Sequence, residues 1–168
     1  QLGRFQLILT ITNWVCAIIM SVSVPSLSRW STLATQSLFR PLVRSFRFRQ
    51  SGTGGLTILA GILVVLFAPQ ILELLYGPAY RQDALLLRLI TPGWAAAGFA
   101  AWYSIALTAM GQPGRIMLPN LAWAITYLTL TWILLCFSPL GVYGAVAAYV
   151  LCNFAWLGAY EIVFRATL

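Results

Sequence analysis

The sequence predicts an all-α protein of the bilayer: a polytopic bundle of about five membrane-spanning helices, with a basic amphipathic helix linking the first two. Three observations predict it. Apolar residues make up 61% of the chain and charged residues 8%, with a mean hydropathy of +0.87, whereas a soluble domain carries about a quarter of its residues charged. So few polar groups cannot cover a surface facing water, and a lipid-facing surface removes that need. Five apolar runs each reach the roughly 20 residues that a helix needs to cross a hydrocarbon core about 30 Å thick. None of them alternates apolar with polar, so they read as helices rather than as strands of a barrel. Finally, most of the ten arginines lie outside these runs, as the positive-inside rule describes for the loops of membrane proteins.

The first run, 5–24, is uncharged. It has no cleavage-site signature and more spans follow it, so it is not read as a signal peptide. The chain opens on Gln1 rather than Met, and the expectation is an excerpt of a longer protein. The stretch 25–55 is different. It holds Arg29, Arg40, Arg44, Arg47 and Arg49 and no acid. Arg40, Arg44 and Arg47 recur on one side of a helix, with Phe39, Leu42, Val43 and Phe46 roughly opposite. This predicts a basic amphipathic helix at the membrane surface, Arg40, Arg44, Arg47 and Arg49 being its membrane-surface residues. Pro41 marks a kink or a helix start, and residues 51–55 (SGTGG) are expected to break the helix before the second span.

The remaining spans are 56–75, with Glu73 near its end; 84–110, with Arg88 near its start; 116–137; and 142–164, with Glu161 near its end. Turn signals separate them at Tyr76-Gly77-Pro78, Gly111-Gln112-Pro113-Gly114 and 138–141. Short loops make spans two to five antiparallel neighbours. Five spans place seven arginines on one face (Arg29, Arg40, Arg44, Arg47, Arg49, Arg115, Arg165) against two on the other (Arg4, Arg81). The basic face is therefore expected to be cytoplasmic, with the N-terminus outside and the C-terminus inside. Trp30, Tyr76, Tyr80, Tyr143 and Tyr160 fall near predicted interfaces, while Trp14, Trp102, Trp123, Trp132 and Trp156 lie deeper, where packing is the common role. Gly93, Gly98 and their neighbouring alanines, and Gly144 with Ala145, Ala147 and Ala148, suit close helix approach.

Little in the chain carries catalytic chemistry. It has no His, and its three acids, Glu73, Asp83 and Glu161, lie on separate elements. The glycine-rich 51–55 lacks a phosphate-loop pattern. Cys16, Cys136 and Cys152 have no paired spacing, so no disulfide framework or metal site is expected. The expectation is no enzyme, no catalytic residue, no metal, no cofactor and no nucleic-acid partner. Ionisable or amide side chains at membrane depth are the candidates for substrate binding: Arg88, whose cation suits a phosphate or pyrophosphate, with Asn13, Asn120 and Asn153. Helix-to-helix hydrogen bonding is the plainer role of the asparagines.

The order of short motifs resembles one known family. The run 67–80 (FAPQILELLYGPAY) is similar to a span ending in "il-lly/fG" followed closely by a Tyr. Ala84 then opens a Leu-rich stretch, Leu107-Thr108-Ala109-Met110-Gly111 closes a small-residue helix, Asn120 lies at the opening of the next, and 139–148 (PLGVYGAVAA) matches "P-G--GAa-A". Over about residues 20–165 the chain resembles the C-terminal part of the polysaccharide (O-antigen or exopolysaccharide) flippases of the multidrug/oligosaccharidyl-lipid/polysaccharide exporter superfamily. The resemblance implies that 1–168 is part of a C-terminal transmembrane lobe, in the bacterial inner membrane. It implies a transporter that moves lipid-linked oligosaccharides by alternating access, the glycan passing a central cavity while the lipid tail stays in the bilayer. Its partners would be membrane lipids, the lipid-linked glycan and an N-terminal lobe of the same chain. A drug/cation antiporter of the same superfamily and a non-transporting membrane fragment are the alternatives.

Overall fold

The computed structural model describes residues 2–137 and 140–168. It is all-α: α1 (Leu2–Thr35), α2 (Phe39–Tyr76), a short 3₁₀ helix (Pro78–Asp83), α3 (Ala84–Ala109), α4 (Gly114–Phe137) and α5 (Val142–Arg165). Among the described residues, four stretches are long and apolar enough to cross a membrane: α2, the 3₁₀ helix with α3, α4 and α5. They contain the predicted spans 56–75, 84–110, 116–137 and 142–164 to within a residue. The first predicted span lies inside α1, and the side chains of many of its residues, Phe5, Cys16 and Val24 among them, lie outside the described set.

The basic segment departs from expectation. It is not a separate surface helix: α1 runs on through Pro25 to Thr35, and α2 runs unbroken from Phe39 through the glycines to Tyr76. At 1.5 Å per residue, the 38 residues of α2 make a rod about 57 Å long. That is nearly twice the hydrocarbon thickness, so its basic N-terminal part continues the span toward and beyond the headgroups. Each interior Gly costs about 1 kcal/mol relative to Ala, and tertiary contacts outweigh that here. Gly54 lies under the ring of Phe99, where a Cβ would come within 2.4 Å. Thr53 and Thr57 donate to Arg49 O and Thr53 O one turn back. A break in apolar surroundings would also leave backbone groups with no water to bond.

The reversal between α1 and α2 is tight. Leu38 N bonds Leu33 O at 2.9 Å and Ser37 N bonds Ala34 O at 3.0 Å, while Ser37 takes φ 56°. This is a Schellman motif with Ser where Gly is usual. The same pair of bonds closes α3, from Gln112 N to Leu107 O and from Gly111 N to Thr108 O, with Gly111 at φ 71°. Pro41 falls in the first turn of α2, where its missing N–H costs nothing.

α3 is the centre of the bundle, packed on α1, α2 and α5, while α4 leans mainly on α5. Small residues set the approach. A Cβ on Gly93 would lie 2.8 Å from Val150 Cα of α5, and one on Gly144 3.0 Å from Leu134 Cβ of α4. Along the α2–α3 seam, Gly61 meets Thr91, Thr57 meets Gly98 and Phe46 meets Tyr103, so the two helices run antiparallel. Two cores result. One is aliphatic, with Ile8, Leu72, Leu87, Ile90 and Val146. The other is aromatic, with Trp30, Phe46, Trp102, Tyr103, Tyr160 and Phe164. Trp30 and Tyr160, expected at the interface, are fully buried in it.

Candidate functional site

Among the described residues, a polar cluster that spans three helices forms where α2 begins, α3 ends and α5 ends. Glu161 is the hub. Its Oε1 accepts from Arg47 Nη2 at 2.8 Å and from Arg165 Nε at 2.6 Å, and its Oε2 accepts from the Tyr103 hydroxyl. Arg47 Nη1 also donates to the Tyr103 hydroxyl at 3.1 Å and to Gln50 Oε1 at 3.4 Å. A single guanidinium thus ties together groups from three helices.

Helical spacing explains the convergence. Arg47, Gln50 and Ser51 lie at i, i+3 and i+4 of α2; Phe99 and Tyr103 at i and i+4 of α3; Phe154, Leu157 or Gly158, and Glu161 at i, i+3 or i+4, and i+7 of α5. These three faces line an open groove of about 800 Å³. Arg47, Gln50, Ser51, Tyr103 and Glu161 supply its polar wall, and Phe48, Phe99, Phe154 and Leu157 its apolar one. Mostly apolar walls with a few convergent polar groups are what a small-ligand site requires. An anion entering the groove would compete with Glu161 for Arg47, while hydroxyl-rich ligands would find the Gln50 amide and the Ser51 hydroxyl.

Most of the described arginines sit at one end of the bundle. Arg47 and Arg165 share Glu161, and Arg115 at the start of α4 donates to Ala166 O at 3.2 Å and Thr167 Oγ1 at 2.8 Å beyond the end of α5. At the far end of α2, Arg81 lies 3.6 Å from Glu73.

The predicted substrate residues are elsewhere, and none of the four lines the groove. Arg88 Nε donates to Val65 O at 2.9 Å. That carbonyl would normally bond the N–H of residue 69, which is Pro69 and has none. Arg88 thus fills a vacancy that a proline opened in the neighbouring helix. Asn120 Oδ1 accepts from Trp156 Nε1 at 3.1 Å and from Tyr160 OH at 2.8 Å, joining α4 to α5. Asn153 is buried and donates to Tyr149 O within α5. Asn13 is exposed on α1. Of the basic residues predicted at the surface, Arg40 and Arg44 are exposed. Arg49 turns back to donate to Ser26 Oγ at 2.7 Å, and Arg47 enters the groove. Gln50, Ser51 and Tyr103 carry no signal of their own in the sequence that sets them apart, and Glu161 stands there only as one of three acids on separate elements. The i, i+3, i+4 pattern of Arg47, Gln50 and Ser51 was the available signal, and it was hidden by ending the helix at 51–55. Among the described residues, no group of three His, Cys, Asp or Glu lies close enough to hold a metal.

No family model, no curated protein and no solved structure matches this chain.

Proposed function

We propose that the chain is part of a membrane transporter that moves a lipid-linked saccharide across the bilayer by alternating access. In this reading the groove between α2, α3 and α5 receives the head group. The observation that carries it is the convergence of Arg47, Gln50, Ser51, Tyr103 and Glu161 on one groove in a chain with only 8% charged residues. Ionisable side chains that face a cavity in a membrane protein are candidates for a substrate path. A guanidinium suits a phosphate or pyrophosphate. Amide, hydroxyl and phenol groups suit sugar hydroxyls, and Phe48, Phe99 and Phe154 offer faces for sugar rings. Arg47 lies about 13 Å along α2 from Leu56, on the aqueous side of the hydrocarbon edge, so a lipid tail could stay in the bilayer. The arginine bias supports a cytoplasmic basic end, with the N-terminus of the described helices periplasmic and the membrane the bacterial inner one. A second lobe of the same transporter across the groove would complete an enclosed path between two repeats.

The test is deletion of the encoding gene with leaflet-resolved assay of lipid-linked saccharides. Loss of surface polymer is expected, with lipid-linked saccharide accumulating on the cytoplasmic leaflet. Wild type should restore export and Arg47→Ala should not. Normal surface polymer together with hypersensitivity to cationic drugs would overturn the reading in favour of a drug/cation antiporter.

A further inference from the structure

A second charged cleft lies outside the groove, between the C-terminal part of α1 and the N-terminal part of α2. Arg29, Arg44 and Arg49 line it with Ser45 and Phe48, around a space of about 470 Å³. The chain's three acids are all elsewhere. Glu161 is in the groove with Arg47 and Arg165, Glu73 is beside Arg81 at the opposite end, and Asp83 ends the 3₁₀ helix there. Three arginines therefore line one space with no carboxylate among its lining residues, and an anion there would lower the repulsion between their like charges.

The cleft is held in place on two sides. Arg49 donates to Ser26 Oγ at 2.7 Å, and Ser26 is fully buried. Ser45 Oγ accepts from the Nε1 of the buried Trp30 at 3.2 Å, which leaves the Ser45 O–H free to donate. Its depth is also defined. Arg49 and Arg44 lie about 10 and 18 Å along α2 from Leu56, at 1.5 Å per residue. The headgroup layer extends roughly 5–8 Å beyond the roughly 30 Å hydrocarbon core, so an Arg49 side chain reaching back along the helix meets it, while Arg44 approaches it from the aqueous side. Phe48 stands in the same cleft and is 79% exposed, an apolar ring against which a lipid's glycerol or acyl segment could lie. Cations above and an exposed ring beside them match an amphiphile, with phosphate on the guanidiniums and a glycerol or acyl segment along the ring. A free phosphate would leave Phe48 without a role.

We infer that the cleft of Arg29, Arg44 and Arg49 is a binding site for the phosphate of an anionic phospholipid. Basic pockets between spanning helices at the cytoplasmic side take such headgroups. The site is independent of the transporter reading, since no residue of the polar groove except the shared ring of Phe48 takes part.

The test is native mass spectrometry of the whole chain released from mild detergent, titrated with phosphatidylglycerol or phosphatidylcholine. Phosphatidylglycerol is expected to be retained preferentially. Arg29→Gln with Arg44→Gln should weaken its binding by about 30-fold, from the usual contribution of each basic residue near an anionic surface. Arg81→Gln with Arg115→Gln, the same change in charge outside the cleft, should leave it unaltered. Arg29→Lys with Arg44→Lys keeps the charge and should retain most of the binding, which separates loss of the site from loss of the fold. The inference fails if the Gln pair binds like wild type, if both lipids are lost equally, or if inorganic phosphate at equal concentration displaces the lipid.

Discussion

Where α2 ends and α3 begins, the buried side chains are aliphatic, Ile8, Leu72, Leu87, Ile90 and Val146, and the one ion pair described there, Arg81 with Glu73, stays in the open at 3.6 Å. Where α2 begins and α3 ends, the buried side chains are aromatic, and an ionic cluster is built against them. Phe46 packs on Trp30, Tyr103 and Phe164, and Tyr103 also reaches Glu161. The aliphatic end is held by shape, through close approach of smooth helices. The aromatic end is held by oriented contacts, rings with polar edges that fix the walls of the groove. The first should tolerate a lost polar group and fail on added volume. The second should respond in the opposite way.

The largest effect is expected from volume at the aliphatic end. Gly93→Leu places a side chain against the Val150 backbone, 2.8 Å from where a Cβ alone would stand. Backbone cannot yield as a flexible side chain can, so the loss should be about 3 kcal/mol, the upper range for overpacking. Gly52→Ala is the matching control, because nothing lies within 4 Å of its Cβ position. It should stabilise the helix by up to about 1 kcal/mol. Thermal unfolding in detergent micelles, followed by tryptophan fluorescence, reads both. A Gly93→Leu protein as stable as wild type would show that α3 and α5 do not meet there.

The next effect breaks the polar end. Glu161→Gln removes the charge that Arg47 and Arg165 share. The Glu161 side chain is 22% exposed, with Arg47 at 45% and Arg165 at 73%. The cluster falls between a surface pair, worth up to about 1 kcal/mol, and a buried pair, costing about 3–5 kcal/mol when broken. A loss near 2 kcal/mol is expected. Arg47→Gln should account for most of it and Arg165→Gln, an exposed i, i+4 contact, for about 0.5 kcal/mol or less. A double-mutant cycle measures the split, and equal losses from the two arginines would undo the ranking.

These two ends were unequally legible in the sequence. The spans were legible because hydrophobic length is a property of each segment alone, and α3 and α4 end, and α5 begins, within two residues of the turn signals. The expected apolar face of Phe39, Leu42, Val43 and Phe46 was legible in part: Leu42 and Phe46 are fully buried in the protein core, while Phe39 is exposed and Val43 half-buried. The continuity of α2 was not. Ser51 to Gly55 has breaker composition, and what overrides it is Phe99, 45 positions from Gly54 in the sequence and on another helix. The groove was lost with it, since Arg47 and Gln50 acquire their partners Tyr103 and Glu161 only when three helices meet. Arg88 was singled out for its depth, but its partner is a carbonyl that Pro69 left open. Depth alone does not separate a ligand-binding cation from one that repairs a neighbouring backbone.

That distinction can be measured, and the effect is the smallest of the three. Arg88→Met removes the donor to Val65 O and leaves a carbonyl exposed to hydrocarbon. Interhelical hydrogen bonds in membranes average about 0.6 kcal/mol, so a loss near 1 kcal/mol is expected. Pro69→Ala supplies a backbone N–H to the same carbonyl at i−4. In that background Arg88→Met should cost almost nothing, because the vacancy it served has closed. A cycle over the two positions should therefore show a coupling of about 1 kcal/mol, read from the same unfolding curves. Additive effects would mean that Arg88 acts on something other than Val65, and would return it to the list of substrate contacts. Full coupling would make it a structural cation. The aliphatic end would then contain one polar bond placed by the covalent chemistry of a proline, while the selective polar contacts of the bundle would belong to the other end.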